Sequence, residues 1–353
     1  SVRAVKDLNM VIEDKKVVCL LGPSGCGKTT TMRIIAGLES PTTGNVFFDG
    51  QDVTPLGARE RDVAMVFQFP TVYPHLSVYD NLSLPLQGRK LARNVLQQKI
   101  DLVIEQLGIP TEALGKKSGS IDPGLRQKVA IGRAIIREPK VFLFDEPLTN
   151  LDATARIELM SLIKHLSKEV GQTFVYVTHD QSEAMSLADA IAVMKDGELL
   201  QYEDSDTIYE FPQTTFVGWF LGNPGMNFIS CQLKTEGTKV FLEFGSHRLG
   251  ISSSWKKLLA DEVSSEVILG IRPEYVTMSF HETQECPVRG LCSFVEFVGG
   301  REIFHIHLGE GIEIRVKDFP RGDVQSDMEV FIGFPEDKIR FFSPGGRLLY
   351  KKD

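Results

Sequence analysis

The first two thirds of the chain alternate short apolar runs with segments of helical periodicity. Residues 15–22 (KKVVCLLG) predict a buried strand, which a Gly-rich loop and the helical stretch TTTMRIIAGLE follow directly. VFLFDEP (141–147) and TFVYVTHD (173–180) predict further strands that end in charged residues. Apolar strands that alternate with helices are typical of an α/β fold with a mostly parallel sheet. We therefore predict an α/β domain over residues 1–220.

Three other stretches complete this first domain. GNVFFDGQDV and VAMVFQ predict strands, and AIAVMKDGELLQYE predicts a hairpin across its KDGE turn. From residue 72 to about residue 137 the pattern becomes helical, with the apolar residues of LARNVLQQKIDLVIEQLGI at helical spacing. We assign a helical subdomain to about residues 72–137.

The pattern changes again after LGNPGMNF. Apolar and polar residues now alternate in short runs broken by turns, as in KVFLEF, SEVILGIRP, FHIHLGEGIEIRV, EVFIGF and KIRFF. Such spacing predicts a small all-β domain of barrel type over residues 221–353.

Composition excludes several functional classes. The net charge of −8 argues against sequence-independent binding to nucleic acid, and we expect no nucleic-acid partner. Five scattered cysteines without a CxxC pair indicate reduced thiols in a cytosolic setting. No apolar run approaches the roughly 18 residues that span a membrane, so a membrane role would require a partner.

The first chemical motif is GPSGCGKTT, residues 22–30, which fits G-x-x-x-x-G-K-[ST] between a predicted strand and a predicted helix. In such a loop backbone N–H groups surround phosphates, Lys28 reaches the β- and γ-phosphates, and the Thr29 hydroxyl binds Mg²⁺. A chance glycine turn is the alternative, and the flanking elements argue against it. The predicted phosphate-binding residues are Gly22, Pro23, Ser24, Gly25, Cys26, Gly27, Lys28, Thr29 and Thr30.

Two further strand ends complete the predicted site. Asp145, at the end of VFLFDEP, is placed to hold Mg²⁺, and Glu146 is placed to polarise an attacking water. His179, at the end of TFVYVTHD, is placed to sense or stabilise a γ-phosphate. Separately, these residues could be solvated carboxylates and a structural histidine; the complete set is what predicts a catalytic role.

In this order GPSGCGKTT, the Gln68 of VFQ, VFLFDEP, LTNLDA and His179 resemble the ATPases of ABC transporters over essentially the whole chain. FVGWFLGNPGMNF and GIRPEYV resemble the linker and OB-type accessory domain of the importer subfamily for sugars, polyols and glycerol phosphate. The resemblance implies an ATPase at the cytoplasmic face of the cell membrane, which binds ATP and Mg²⁺. It also implies a second ATPase subunit, two transmembrane permease subunits and, indirectly, a substrate-binding protein.

The resemblance assigns roles to three further features. Gln68 would bind Mg²⁺ and water and report to the permease, and Asp152 would belong to a loop that crosses the interface between ATPase subunits. FPTVYPHLSVYDNL would form a groove for a permease helix. The alternative for its apolar residues, Phe69, Tyr73, Leu76 and Tyr79, is a place in the core.

The chain departs from the family at two points. The family's adenine-stacking aromatic residue would precede SVRAVKDLNM, which we interpret as an incomplete N-terminus. The family's LSGGQ segment aligns with Ile121–Leu125, where only Gly124 matches in type. Asp122 offers a negative acceptor where the family has a hydroxyl, and Pro123 has no N–H to donate. As helix-starting residues, however, both are sound.

These departures lead to a specific hypothesis. The chain would be the ATPase of a sugar, glycerol or polyol importer, and it would pair with a different ATPase because a homodimer would contain two damaged sites. A non-transporting regulatory or interaction protein is the alternative, and an ATP-binding protein without turnover is a third possibility.

Overall fold

The computed structural model of the protein describes residues 3–89, 91–252, 255, 265–318, 322 and 324–349. The chain divides into two compact units, Ser1–Ser205 and Asp206–Asp353. The predicted domain boundary at residue 220 stays a prediction.

The first unit is built on one six-stranded sheet. Its strands run in the order β4-β5-β6-β1-β7-β8, with parallel pairing throughout except for the antiparallel β7–β8 hairpin. The predicted mostly parallel α/β fold is therefore confirmed. Its elements are β1 (Val17–Leu21), α1 (Lys28–Ala36), β2 (Phe47–Phe48), β3 (Gln51–Asp52), β4 (Val63–Val66), α2 (Val78–Ser83), α3 (Arg93–Leu107), α4 (Pro123–Ile135), β5 (Val141–Asp145), α5 (Ala153–Val170), β6 (Thr173–Thr178), α6 (Gln181–Leu187), β7 (Ala190–Lys195) and β8 (Glu198–Asp204).

The central strands explain where the chemistry lies. All residues of β1 and β6 are buried, as expected for strands covered on both faces. Leu21 at the end of β1 is level with Thr178 at the end of β6, and Asp145 at the end of β5 is level with Val177. The segments that follow these three strands therefore leave the sheet at the same edge.

Helices α2, α3 and α4 confirm the predicted helical stretch, and they pack closely around Gly132. A Cβ at this position would lie 2.7 Å from Leu82 Cδ2 and 2.9 Å from Leu107 Cδ1. Glycine lowers helix stability by about 1 kcal/mol relative to alanine, so its presence inside α4 reflects this close approach.

One strand prediction needs correction. GNVFFDGQDV does not form a single strand but the two-residue strands β2 and β3, paired antiparallel across Asp49 and Gly50. Both turn residues have positive φ, 50° and 75°, which is typical of a tight hairpin turn.

The second unit is all-β after two short helices. Among the described residues, two five-stranded antiparallel sheets, β11-β10-β9-β12-β18 and β13-β17-β14-β15-β16, share one apolar core. Its elements are α7 (Ser205–Glu210), α8 (Thr215–Phe220), β9 (Asn227–Glu236), β10 (Lys239–Phe244), β11 (His247–Ile251), β12 (Glu266–Ile271), β13 (Thr277–Ser279), β14 (Val288–Val298), β15 (Arg301–Gly309), β16 (Ile312–Asp318), β17 (Met328–Gly333) and β18 (Arg340–Phe342).

A buried arginine joins the two helices of this unit to its sheets. Arg272 follows β12 and is only 1% exposed. Its guanidinium donates to the carbonyls of Gly218 (2.8 Å) and Leu221 at the end of α8, and to the carbonyl of Tyr209 (2.6 Å) in the last turn of α7. Carbonyls at helix ends lack partners within the helix, so one cation satisfies the ends of both helices.

We expect Arg272→Ala to destabilise the second unit by about 3 kcal/mol or more, because it leaves several buried carbonyls without a donor. Urea unfolding followed by tryptophan fluorescence measures this loss, since both tryptophans, Trp219 and Trp255, belong to this unit. Arg289→Ala is the matched control: Arg289 forms an exposed pair with Glu329, and its removal should cause no measurable change. Equal unfolding midpoints for both variants would contradict the capping role.

Among the described residues, no helix is long and apolar enough to cross a membrane.

Candidate active site

The predicted phosphate-binding residues, Gly22–Thr30, form the loop after β1 and the first turn of α1. Gly27 precedes the helix with φ of 106°, and a Cβ there would lie 2.5 Å from the Ala4 carbonyl oxygen, so only glycine fits. Lys28 is 5% exposed, and its ammonium donates to the carbonyls of Gly22 (2.7 Å) and Pro23 (2.9 Å). The lysine thus closes the loop into a ring whose positive charge lies at the helix N-terminus. This arrangement fits a polyphosphate.

A hydroxyl and a carboxylate lie together beside this loop. Thr29 Oγ1 donates to Asp145 Oδ1 at 3.4 Å, which links the start of α1 to the end of β5. Burial raises the pKa of Asp145, and the negative charge of Glu146 raises it further, whereas the Thr29 hydrogen bond lowers it. Two neighbouring carboxylates and a hydroxyl, with excess negative charge, fit a hard divalent cation such as Mg²⁺.

Most ligands of a bound Mg²⁺ would be groups other than carboxylates of the protein. Among the described residues, no group of three or more His, Cys, Asp and Glu side chains could hold a metal ion. Mg²⁺ commonly takes one or two protein carboxylates and completes its octahedron with waters and substrate phosphates. Gln68, the third predicted metal ligand, is half-buried just beyond β4.

Glu146 and His179 meet at the edge where β5 and β6 end. His179 Nδ1 lies 3.2 Å from Glu146 Oε2, and the Thr149 hydroxyl donates to the same oxygen at 3.4 Å. Glu146 has φ of 46°, and its N–H donates to the Val177 carbonyl at 2.9 Å. A left-handed conformation is uncommon for glutamate and is often found at functional sites. The carboxylate is thus held by one oxygen and is partly exposed.

Sequence reasoning missed two side chains between Glu146 and Asp152. Thr149 contacts Glu146 as described, and Asn150 donates through Nδ2 to the Gln68 backbone carbonyl at 3.2 Å. The only feature of the sequence that pointed to these two residues was their position inside LTNLDA. Asp152, which the family resemblance places in the interface loop, caps α5 by accepting from the Ala155 N–H at 2.9 Å.

The IDPGL segment forms the predicted helix start. Asp122 is the N-cap of α4 and accepts from the Leu125 N–H at 2.8 Å, and Pro123 is the first helical residue. Arg126 donates to the carbonyls of Ser118 (3.1 Å) and Ile121 (2.8 Å), which holds the preceding loop. The local fold of this segment is therefore intact.

The aromatic residues after Gln68 are divided between surface and interior. Phe69 is 69% exposed and Tyr73 is 44% exposed, so the core interpretation is wrong for both; Leu76 and Tyr79 are half-buried. Tyr73 and Arg133 border a cavity of about 460 Å³, with the guanidinium 4.7 Å from the ring centroid. A groove bordered by Tyr73 therefore lies on the segment that follows Gln68 in the chain.

A buried amide ties this groove to the segment before α4. Asn81 is fully buried; its Oδ1 accepts from the Tyr73 N–H (2.8 Å), and its Nδ2 donates to the Tyr73 carbonyl (3.0 Å) and Ser118 Oγ (2.9 Å). With Ser118 N–H donating to the Leu76 carbonyl at 2.9 Å, the two segments form one bonded unit.

Comparison with known proteins agrees with this geometry. Residues 5–149 match the ABC transporter family, residues 222–276 the MalK OB fold domain and residues 269–342 the TOBE domain. The trehalose/maltose import ATP-binding protein MalK of Thermococcus litoralis is 40% identical over 97% of this chain and 94% of its own length. The oligosaccharides import ATP-binding protein MsmX of Bacillus subtilis is 38% identical over 96% of this chain and 93% of its own length.

A solved structure gives the same result for more than half of the chain. A dimeric ATP-binding cassette in a post-hydrolysis state, bound to ADP and Pi, is 31% identical with a TM-score of 0.52, covering 58% of this chain and 91% of that one. The resemblance that we inferred from the motifs and the predicted fold class are confirmed. The chain therefore belongs to the ABC transporter family, as an ATP-binding subunit that hydrolyses MgATP to support transport.

Proposed function

We propose that the protein powers a membrane importer for a sugar, glycerol or a related polyol, working at the cytoplasmic face of the cell membrane. The observation that carries this proposal is the convergence of Lys28, Asp145, Glu146 and His179 in a chain that also matches the MalK OB fold domain. Relatives named for trehalose/maltose and oligosaccharide import support the substrate class.

The proposed reaction is in-line attack of water on the γ-phosphate of ATP. Lys28 and the loop N–H groups hold the phosphates, while Thr29, Asp145 and Gln68 would hold Mg²⁺. When bound, Mg²⁺ neutralises negative charge on the transferring phosphoryl group. Glu146 Oε2 is occupied by His179 and Thr149, so its other oxygen is the one available to accept a hydrogen bond from the attacking water.

We assign the permease contact to the segment that follows Gln68 and to the groove bordered by Tyr73 and Arg133. Phe69 and Tyr73 are exposed, and Tyr73 borders a cavity of about 460 Å³, which suits a helix of a transmembrane subunit. Asn150 donates to the Gln68 backbone carbonyl, which links the chain segment before Tyr73 to the loop that contains Asp152. Two permease subunits and, through them, a substrate-binding protein complete the proposed assembly.

We further propose that the second ATPase subunit is a different chain. In the family arrangement, the segment aligned with Ile121–Leu125 faces the ATP held by the partner. Asp122 would bring a carboxylate towards a negatively charged γ-phosphate, and Pro123 offers no N–H. The phosphate loop, Asp145 and Glu146 of this chain are complete, so hydrolysis would require the signature segment of a competent partner.

Co-expression with a second ATPase and two permease subunits from the same organism tests the assembly. We expect affinity purification of this chain to recover two transmembrane subunits and a second ATPase, and proteoliposomes of the complex to accumulate a radiolabelled sugar or polyol when ATP is supplied. A chain that turns over ATP but recovers no membrane protein would instead support a regulatory ABC protein.

A further inference from the structure

A buried carboxylate lies behind His179 and has no part in the proposed chemistry. Glu183, in the first turn of α6, is only 5% exposed. Its Oε2 accepts from Thr178 Oγ1 at 2.7 Å and from the Tyr176 hydroxyl at 3.0 Å. Both donors belong to β6, the strand that ends immediately before His179.

The same network holds the chain on the other side of His179. Thr178 Oγ1, while donating to Glu183, accepts from the Asp180 N–H at 3.0 Å. The Asp180 carboxylate in turn caps α6, accepting from the Ser182 N–H at 2.8 Å and the Glu183 N–H at 3.3 Å. Residues 178 and 180 are therefore both fixed, and His179 has little backbone freedom between them.

Burying the Glu183 carboxylate lowers the stability of the fold. Burial raises the pKa of Glu183, because the ionised form is disfavoured in this environment, although the two hydroxyl donors partly oppose the shift. The nearby cation Arg156 pairs with Asp180 at 3.4 Å. An apolar residue would fill the same space without a desolvation penalty, so the carboxylate is better explained by what it orients.

We propose that Glu183 is a positioning residue for the ATPase reaction: through Thr178 it fixes His179 so that Nδ1 stays beside Glu146 Oε2. The 3.2 Å contact between His179 and Glu146 is the quantity that it controls. The proposal rests on the proposed role of Glu146 and His179 in hydrolysis, but the contact itself can be measured without turnover.

The sharpest variant is Thr178→Val, which keeps the shape of the side chain and removes the hydroxyl. In the assembled ATPase complex we expect Thr178→Val and Glu183→Leu each to lower kcat about 10-fold or more, with the KM for ATP within about two-fold of wild type. Glu183→Gln retains an acceptor oxygen and should restore kcat to within about three-fold of wild type. Thr173→Val, at the opposite end of β6, is the matched control and should leave kcat unchanged.

The second readout uses the isolated chain. The imidazole NMR signal of His179 should shift on Glu146→Gln in the wild-type background, and this response should be lost in Thr178→Val. Unchanged kcat in Thr178→Val, or a preserved NMR response, would overturn the proposal. Absence of ATP turnover in the wild-type complex would count against the proposed function alone, because the NMR response is independent of hydrolysis.

Discussion

Replacing Glu146 by glutamine is expected to reduce steady-state ATP hydrolysis by about 100-fold or more, the loss typical of a removed general base. The amide keeps the size of the side chain and can still accept from His179, but it cannot take a proton from the attacking water. Binding of ATP depends mainly on Lys28 and the phosphate loop, so the affinity should be retained. Phosphate release from the assembled complex and equilibrium nucleotide binding measure the two effects separately.

A second glutamate–histidine pair provides the control. His165 Nε2 and Glu169 Oε1 lie 3.1 Å apart on the exposed face of α5, nearly the distance found between His179 and Glu146. Glu169→Gln should therefore leave turnover unchanged. Full activity in Glu146→Gln would remove this carboxylate from the mechanism, and an equal loss in both variants would indicate a nonspecific effect.

Restoring the signature segment should convert this chain into an ATPase that works with copies of itself. We expect the double substitution Asp122→Ser with Pro123→Gly to raise turnover of the chain alone by about 10- to 100-fold, since missing donors to transition-state oxygens typically cost that much or more. Serine retains the N-cap, and loss of the proline should reduce stability by only about 1 kcal/mol. Phosphate release from the purified chain, measured over a range of protein concentrations, tests this prediction.

Asp122→Asn separates charge from donor capacity. It removes the negative charge, keeps a capping side chain and leaves Pro123 in place, so we expect a rise smaller than that of the double variant. Rapid turnover by the unmodified chain alone would refute the pairing with a different ATPase. The ATP turnover of the double variant should also be compared with that of the unmodified chain in complex with its partner ATPase. That complex defines the activity of a competent site.

The sheet edge could be predicted from the sequence because parallel strands bring their carboxyl ends together. Once β1, β5 and β6 were recognised from their apolar runs, the approach of Gly22, Asp145 and His179 followed. The contacts of Thr149 and Asn150 did not follow, because they depend on how the chain turns after β5. Positive φ at Glu146 sets that turn, and no residue pattern signals it.

The second unit shows a different limit. Alternation of apolar and polar residues identified its strands, since successive side chains point to opposite faces. This alternation could not predict which strands pair with each other. β9 pairs with β12 and β14 pairs with β17, and long stretches of chain separate the two strands of each pair. The contacts of Arg272 with the helix ends could not be predicted either, because a lone arginine after a strand is usually a surface residue.

The buried amide of Asn81 has a mechanical meaning for the assembly. By joining Tyr73 to Ser118, it links the groove wall to the loop before α4. We therefore expect a movement of the groove, caused by the permease, to be transmitted to Ile121–Leu125. In the proposed assembly, this segment would transmit a movement even though it offers fewer donors to the partner's ATP. In the proposed pairing, this role would explain why α4 and its Asp122 cap are kept although Pro123 has no N–H to donate.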